Sequence, residues 1–315
     1  MNGRYILQRL LLALVVVLGV TFVVFMIVHL VPGDPARVIL GAYAPEESVL
    51  AIRERLGLNR PFFEQYGSWL FNLLRGDLGS SLITSQPVMP QLMQRLGPTI
   101  ELAGASLLIG LAIAFPIGIL SAVRLGSPLD LIATVFSQIG VSVPSFWMGI
   151  MLVLLFSLTL GWLPPSGYTP ISVSFGGWLS HLLLPAVTAG IVSASIMTRF
   201  IRSAMLDVLH MSYIQTARAK GLAENVVINK HALRNALISI VTIIGLQMTA
   251  LLSGVVVVEV VFGWPGLGRL ALDAVLDRDY PLLQGAVLAI AVIVTVVNVL
   301  VDLMYVVLDP RIEYA

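Results

Sequence analysis

The sequence predicts an all-α membrane protein with six transmembrane helices, and three observations carry that prediction. The 315 residues are 58% hydrophobic and only 11% charged, with a mean hydropathy of +0.96. A soluble domain carries about 25% charged residues, so this much apolar surface requires lipid. Six segments approach or exceed the roughly 20 apolar residues that a bilayer core demands. The short connections, finally, differ in charge: those at 124–130 and 207–234 carry Lys or Arg and 163–181 carries none, while 31–98, with six Arg and six acidic residues, is long enough to be exempt from the orientation rule.

The first segment, 6–30, follows Arg4 and Arg9. Its apolar run outlasts the roughly 7–15 residues of a secretory leader and lacks a small-residue cleavage site, so it is expected to stay as a first span (1–30). The others are 99–123, 131–162, 182–206, 235–261 and 284–308. The third is too long for one straight span. The Val143-Pro144 step disfavours helix geometry, so a short leading helix from about Asp130 to Gly140 is expected before the span proper. Short loops rich in Lys and Arg stay in the cytoplasm. Arg199, Arg202, Arg218, Lys220, Lys230 and Arg234 lie in segment 199–234, from the end of the fourth span to the start of the fifth, Arg124 lies between the second and third, and Arg311 in the 309–315 tail. The 163–181 loop has neither Lys nor Arg. Both termini are therefore expected inside.

Segment 31–97 reads as an external helical subdomain. Val49, Ile52 and Leu56 recur at helical spacing, and Phe62, Phe63, Tyr66, Trp69, Leu70 and Leu73 form a second stripe. The remainder, 98–308, is the expected membrane core.

The insert between the fourth and fifth spans is polar yet helix-forming. Ser212 is expected to cap a helix running to Lys220, with Gly221 ending it. A second helix from about Ala223 is expected to merge into the fifth span. Tyr213, Ala217 and Gly221 share one side, which would let another protein approach closely. A basic helix lying on anionic headgroups is the alternative, but that side lacks the large apolar residues such helices insert.

Polar residues elsewhere are sparse. Glu259, Asn298 and Asp302, with Glu101, lie in or near spans, where carboxylates are costly and are functional candidates by default. Structural pairing is favoured over ion coupling, with Asn298 and Asp302 expected to face a neighbouring helix as one cluster. Ser106, Ser137, Ser142, Ser193, Ser195 and Ser253 are expected to allow close helix packing rather than line a polar path. His29, His181, His210 and His231 lack metal-ligand spacing. No P-loop sequence and no Gly-x-Ser-x-Gly occurs, cysteine is absent, and a net charge of +1 gives no case for nucleic acid. A non-enzymatic chain without cofactor or metal is expected. Phe262 to Gly268 reads as an external re-entrant turn with Trp264 at the interface. Its sharper reading is a gate or binding-protein contact formed by Trp264, Pro265 and Gly266 with Arg278, Asp279 and Tyr280.

Gln215-Thr-Ala-Arg-Ala-Lys-Gly221 resembles the coupling-helix motif of ABC importer permeases. The whole chain is similar to the first-permease type of the dipeptide/oligopeptide/nickel branch. The resemblance rests on Val31-Pro-Gly-Asp-Pro-Ala36, Gly57-Leu-Asn-Arg-Pro61, Gly76-Asp-Leu-Gly-Ser80, His231-Ala-Leu-Arg-Asn-Ala236, Phe262-Gly-Trp-Pro-Gly-Leu-Gly268 and Arg278-Asp-Tyr-Pro281, in that order. It implies a type I ABC importer transmembrane domain. It also implies a second homologous permease subunit, two cytoplasmic ATPase subunits that bind ATP and Mg, and an external solute-binding protein delivering a peptide, glutathione, nickel or a metal-chelate. The implied ATPase-coupling residues are Tyr213, Gln215, Thr216, Ala217, Arg218, Ala219, Lys220, Gly221, Leu222 and Arg234. The family motif begins with Glu, or often Arg in this branch, where this chain has Gln215. A charge contact from that position is thus not expected. An ion-coupled secondary transporter using the intramembrane carboxylates is the alternative function.

Overall fold

The computed structural model describes residues 3–30, 37, 40, 44–55, 57 and 59–308. The Val31–Ala36 motif, Leu56, Leu58 and the 309–315 tail with Arg311 lie outside the described residues, as do the side chains of Arg4, His29 and Ile52. Every regular element among the described residues is helical. The chain divides into two compact units, one holding 100–264 with 1–7 and 297–315, the other 8–99 with 265–296.

In the second unit, α1 (Gly3–Leu30) supplies the first span. The short helices α2 (Glu46–Arg55) and α3 (Phe62–Leu74) follow. Helix α3 folds against α1 through its predicted aromatic stripe. Phe62, Tyr66 and Trp69 surround Phe25 with ring centroids 5.4–5.6 Å apart, a separation at which aromatic edges and faces attract. Thr21 and the Tyr66 hydroxyl share a 2.9 Å hydrogen bond. The start of α4 (Val88–Val123), α11 (Leu267–Leu276) and the start of α12 (Tyr280–Leu308) bury Val88, Leu92, Leu267, Leu270 and Ala286 together. Helix α4 begins at Val88, well before the expected 99, and Pro90 in its first turn is compatible with that start.

The first unit carries the rest of α4, then α5 (Pro128–Ser142) and α6 (Ser145–Leu152). A π-helical turn, Val153–Thr159, continues α6. The α5 and α6 limbs meet at 103°, which bears out the break expected at Val143-Pro144. Next come α7 (Phe175–Leu209), the short α8 (Ser212–Ala219), and α9 (Glu224–Gly254) with α10 (Val256–Val261). Among the described residues, five helices are long and apolar enough to cross a membrane, and six spans result if the bent pair counts as one.

Small residues let these helices touch. A Cβ on Gly140 of α5 would overlap the Ser195 hydroxyl of α7, and one on Gly190 would lie 2.9 Å from Ile109 of α4. Helices in lipid gain from such backbone approach because hydrocarbon offers no competing hydrophobic drive. The packing role expected of Ser193 and Ser195 follows: both are fully buried, and Ser193 abuts Gly110.

Candidate functional site

The 35-residue helix α7 runs about 50 Å at 1.5 Å per residue, so its end projects past a bilayer core. It stops at His210, and Met211 takes an extended conformation with no side-chain cap. The N-cap position therefore falls one residue before Ser212. Ser212 is instead the first helical residue of α8, and its carbonyl accepts from Thr216 Oγ1 (3.1 Å).

The end of α8 matches the expectation. Gly221 has φ +78°, its amide donates to the Arg218 carbonyl (2.9 Å), and the Leu222 amide donates to the Ala217 carbonyl (3.4 Å). Two such bonds around a left-handed residue form a Schellman ending, where glycine carries no Cβ penalty.

Helix α8 is seated on its own chain. Ile214 and Ala217, three residues apart, are buried among Val208 of α7 and Val227, Ala232 and Ala236 of α9. This corrects the expectation that Ala217 faces a partner. Tyr213, Gln215, Thr216, Arg218, Ala219, Lys220, Gly221 and Leu222 stay exposed, as does Arg234 on α9. Glu224 is missing from the sequence prediction but decides the charge pattern. It accepts from Arg218 Nη2 (2.6 Å) and Nε (3.2 Å), and this hydrogen bonding holds the Arg218 guanidinium above its ordinary pKa. Arg218 is thus paired within the insert, while Lys220, Lys230 and Arg234 are exposed on the same segment.

The junction into the fifth span is continuous, as expected, but contains a π-helical turn at Val227–Leu233. A π turn displaces the regular carbonyl pattern. Here the His231 carbonyl accepts from Asn235 Nδ2 (2.7 Å) and from the Tyr213 hydroxyl (3.4 Å). That second bond ties α8 to α9.

The proposed external gate divides differently from the sequence expectation. Trp264 is fully buried, edge-on to Tyr168 at 4.8 Å; it is a packing residue, not an interfacial one. Gly266, Asp279 and Tyr280 are buried and Pro265 partly so, leaving only Arg278 exposed. Asp279 accepts from the Ser81 hydroxyl and from the Leu82 amide (3.2 Å), fastening the 76–85 loop to the start of α12. In the unit that holds 100–264, Glu101 Oε2 accepts from Trp178 Nε1 (2.9 Å) and the Tyr168 hydroxyl (3.4 Å). Burial first, and then the Glu101 charge, pushes the Tyr168 phenol up.

Among the intramembrane residues, Glu259 is fully buried and its carbonyl accepts from the Trp264 amide (2.8 Å). Asn298 accepts from Thr249 of α9 (2.7 Å), so it does face a neighbouring helix. Asp302, one turn further along, is partly buried. Sequence reasoning missed one constellation. Asp130, at the start of α5, is bound by Arg202 of α7 through Nε (2.7 Å) and Nη2 (3.0 Å), by the Ser121 hydroxyl (2.5 Å) and by the Gly126 amide (3.0 Å). The signal was an acid and a base at the same end of two apolar segments.

Comparison with known proteins places this geometry. The family described as binding-protein-dependent transport system inner membrane component matches residues 114–314, and its N-terminal counterpart matches residues 2–103. The dipeptide transport system permease protein DppB of Alkalihalophilus pseudofirmus is 41% identical, covering 98% of this chain and 99% of that protein. The oligopeptide transport system permease protein AppB of Bacillus subtilis is also 41% identical, over 99% of this chain and 100% of its own length. The glutathione transport system permease protein GsiC of Salmonella choleraesuis is 41% identical with 99% of each chain covered. A solved structure of the MetNI methionine ABC transporter in an inward-facing conformation aligns with a TM-score of 0.59. It shares 18% identity, over 70% of this chain and 97% of that one, and so supports the fold alone. With both halves matched along nearly the full length, the chain belongs to the binding-protein-dependent transport system inner membrane components and is a permease subunit of an ABC importer.

Proposed function

We propose that this chain forms half of the translocation path of a short-peptide importer and is driven through α8 by a separate ATPase. The observation that carries the coupling part is the seating of α8. Its apolar side is held by its own chain, and Gln215, Thr216, Ala219, Lys220 and Gly221 face outward. A helix anchored on one side and polar on the other suits a partner's groove. The sequence has no phosphate-cradling P-loop, so ATP and Mg belong to the ATPase subunits. A second, homologous permease completes the path, and an external binding protein delivers the solute. The segment before α4 that holds α2 and α3 contributes an external helical subdomain, in line with both helices being too short to span. Relatives named for dipeptide, oligopeptide and glutathione transport make short peptides, glutathione included, the proposed cargo.

ATP closes the ATPase dimer, its groove carries α8, and the continuous α9 transmits the displacement into the span. Family membership replaces the ion-coupled alternative. The docking test uses Gly221. Among the described residues, its chain neighbours aside, nothing lies within 4 Å of a Cβ built there, and asparagine accepts left-handed backbone. Gly221→Asn therefore spares the fold and is expected to lose ATPase co-purification because the added side chain meets the partner. Full ATPase recovery with Gly221→Asn would sink the docking reading. Uptake assays with dialanine, a tetrapeptide and glutathione test the cargo; transport of none of them would overturn it.

A further inference from the structure

We infer that Arg202 and Asp130 are a positioning pair that makes the first limb of the bent span move as one body with the ATPase-docking helix. The inference rests on the docking reading of α8. Arg202 lies two turns before the end of α7, the helix that hands the chain to α8 through His210 and Met211. Asp130 lies in the first turn of α5. The fork of Arg202 reaches both carboxylate oxygens, and its Nε also approaches the Ser121 hydroxyl (3.0 Å). One carboxylate thereby joins the end of α4, the 124–127 turn, the start of α5 and α7.

Three features argue that this joint transmits motion. A two-point guanidinium fork fixes orientation as well as distance. The Asp130 side chain is only 10% exposed, so water does not readily substitute for the arginine. The same two helices also touch at a second point, where Gly140 admits Ser195. Two contacts spaced along a pair of helices suppress both sliding and rotation, whereas either alone permits one of them. Helix α5 ends at the 103° bend, so a displacement of α8 passes through α7 and α5 to that corner. Arg124, Arg199 and Lys220, also basic and at this end, are not the ones hydrogen-bonded to Asp130.

The test uses the complete transporter in proteoliposomes. The chain has no native cysteine, so spin labels at Ser212→Cys on α8 and Leu131→Cys on α5 report their separation. The expected result is one distance, the same without nucleotide and with ATP, in the otherwise intact chain. Arg202→Lys, which keeps the charge but loses the fork, is expected to broaden that distribution once ATP is bound, and Arg202→Ala to broaden it further, with ATPase co-purification retained. A distance that changes on ATP binding in the intact chain, or one that ignores both substitutions, overturns the inference. If both variants fail to hold the ATPase, the pair is a scaffold and the inference is also overturned. Failure of the docking reading is separate: it shows as ATPase retention by Gly221→Asn, whatever Arg202 does.

Discussion

Arg218 grips Glu224 across the Gly221 turn, with two nitrogens on two carboxylate oxygens at 2.6 and 3.2 Å. The pair closes the loop between α8 and α9 and takes up the charge of Arg218 within the insert. Exposed pairs of this kind contribute about 0–1 kcal/mol. Glu224→Gln is therefore expected to change thermal stability little and to leave ATPase binding in place. Charge reversal at Lys220, Lys230 or Arg234 is expected to weaken ATPase binding at low salt. That difference should shrink at high salt, where screening shortens the reach of exposed charges. Titrating co-purification against salt checks both parts.

Ala217 gives the opposite kind of outcome. It is 7% exposed and packs with Ile214 on α9, so a larger residue overfills the chain's own core. Ala217→Leu is expected to cost roughly 1–3 kcal/mol, seen as a lowered unfolding midpoint of the isolated subunit in detergent. A partner-facing Ala217 would instead leave that midpoint unchanged and affect only assembly.

The buried Trp264 separates a packing role from a gate. Trp264→Ala is expected to destabilise by about 3–5 kcal/mol, as full truncation of a buried aromatic does. Arg278→Ala, at the exposed residue of the same expected gate, is expected to change stability by less than about 0.5 kcal/mol. Equal, small effects on the detergent-solubilised protein would contradict this assignment.

Asp279 anchors the 76–85 loop through Ser81 and Leu82. Ser81→Ala leaves a buried carboxylate short of one donor, with an expected loss of about 1–3 kcal/mol. Faster proteolysis within 76–85 is the local signature, and an unchanged cleavage rate would remove the anchoring role.

The α5–α7 contact should behave as a coupled pair. Gly140→Ala is expected to destabilise by roughly 1–3 kcal/mol through overlap with Ser195. Ser195→Gly on the same background should recover part of that loss. A double-mutant cycle gives the interaction directly, and strict additivity would argue against the contact.

Much of this protein is legible in one dimension because lipid imposes a one-dimensional rule. A span must be long, apolar and internally hydrogen-bonded, so the six segments, the Pro144 break and the Gly221 stop are local properties of the chain. The order of short motifs likewise marks the family without any coordinates. Orientation of side chains around a helix is a different matter. Ala217 is small enough to suit either a partner or a core, and only the packing of Val208, Val227, Ala232 and Ala236 decides for the core. Trp264 suits an interface by its chemistry but is claimed by Tyr168. The pairings of Arg202 with Asp130 and of Asp279 with Ser81 join residues 72 and 198 positions apart. No periodicity encodes such partners, because they exist only once helix packing has brought the chain together. The sequence alone thus determined spans, breaks and kinship; the tertiary structure decided which side of α8 is exposed and which charges are already taken.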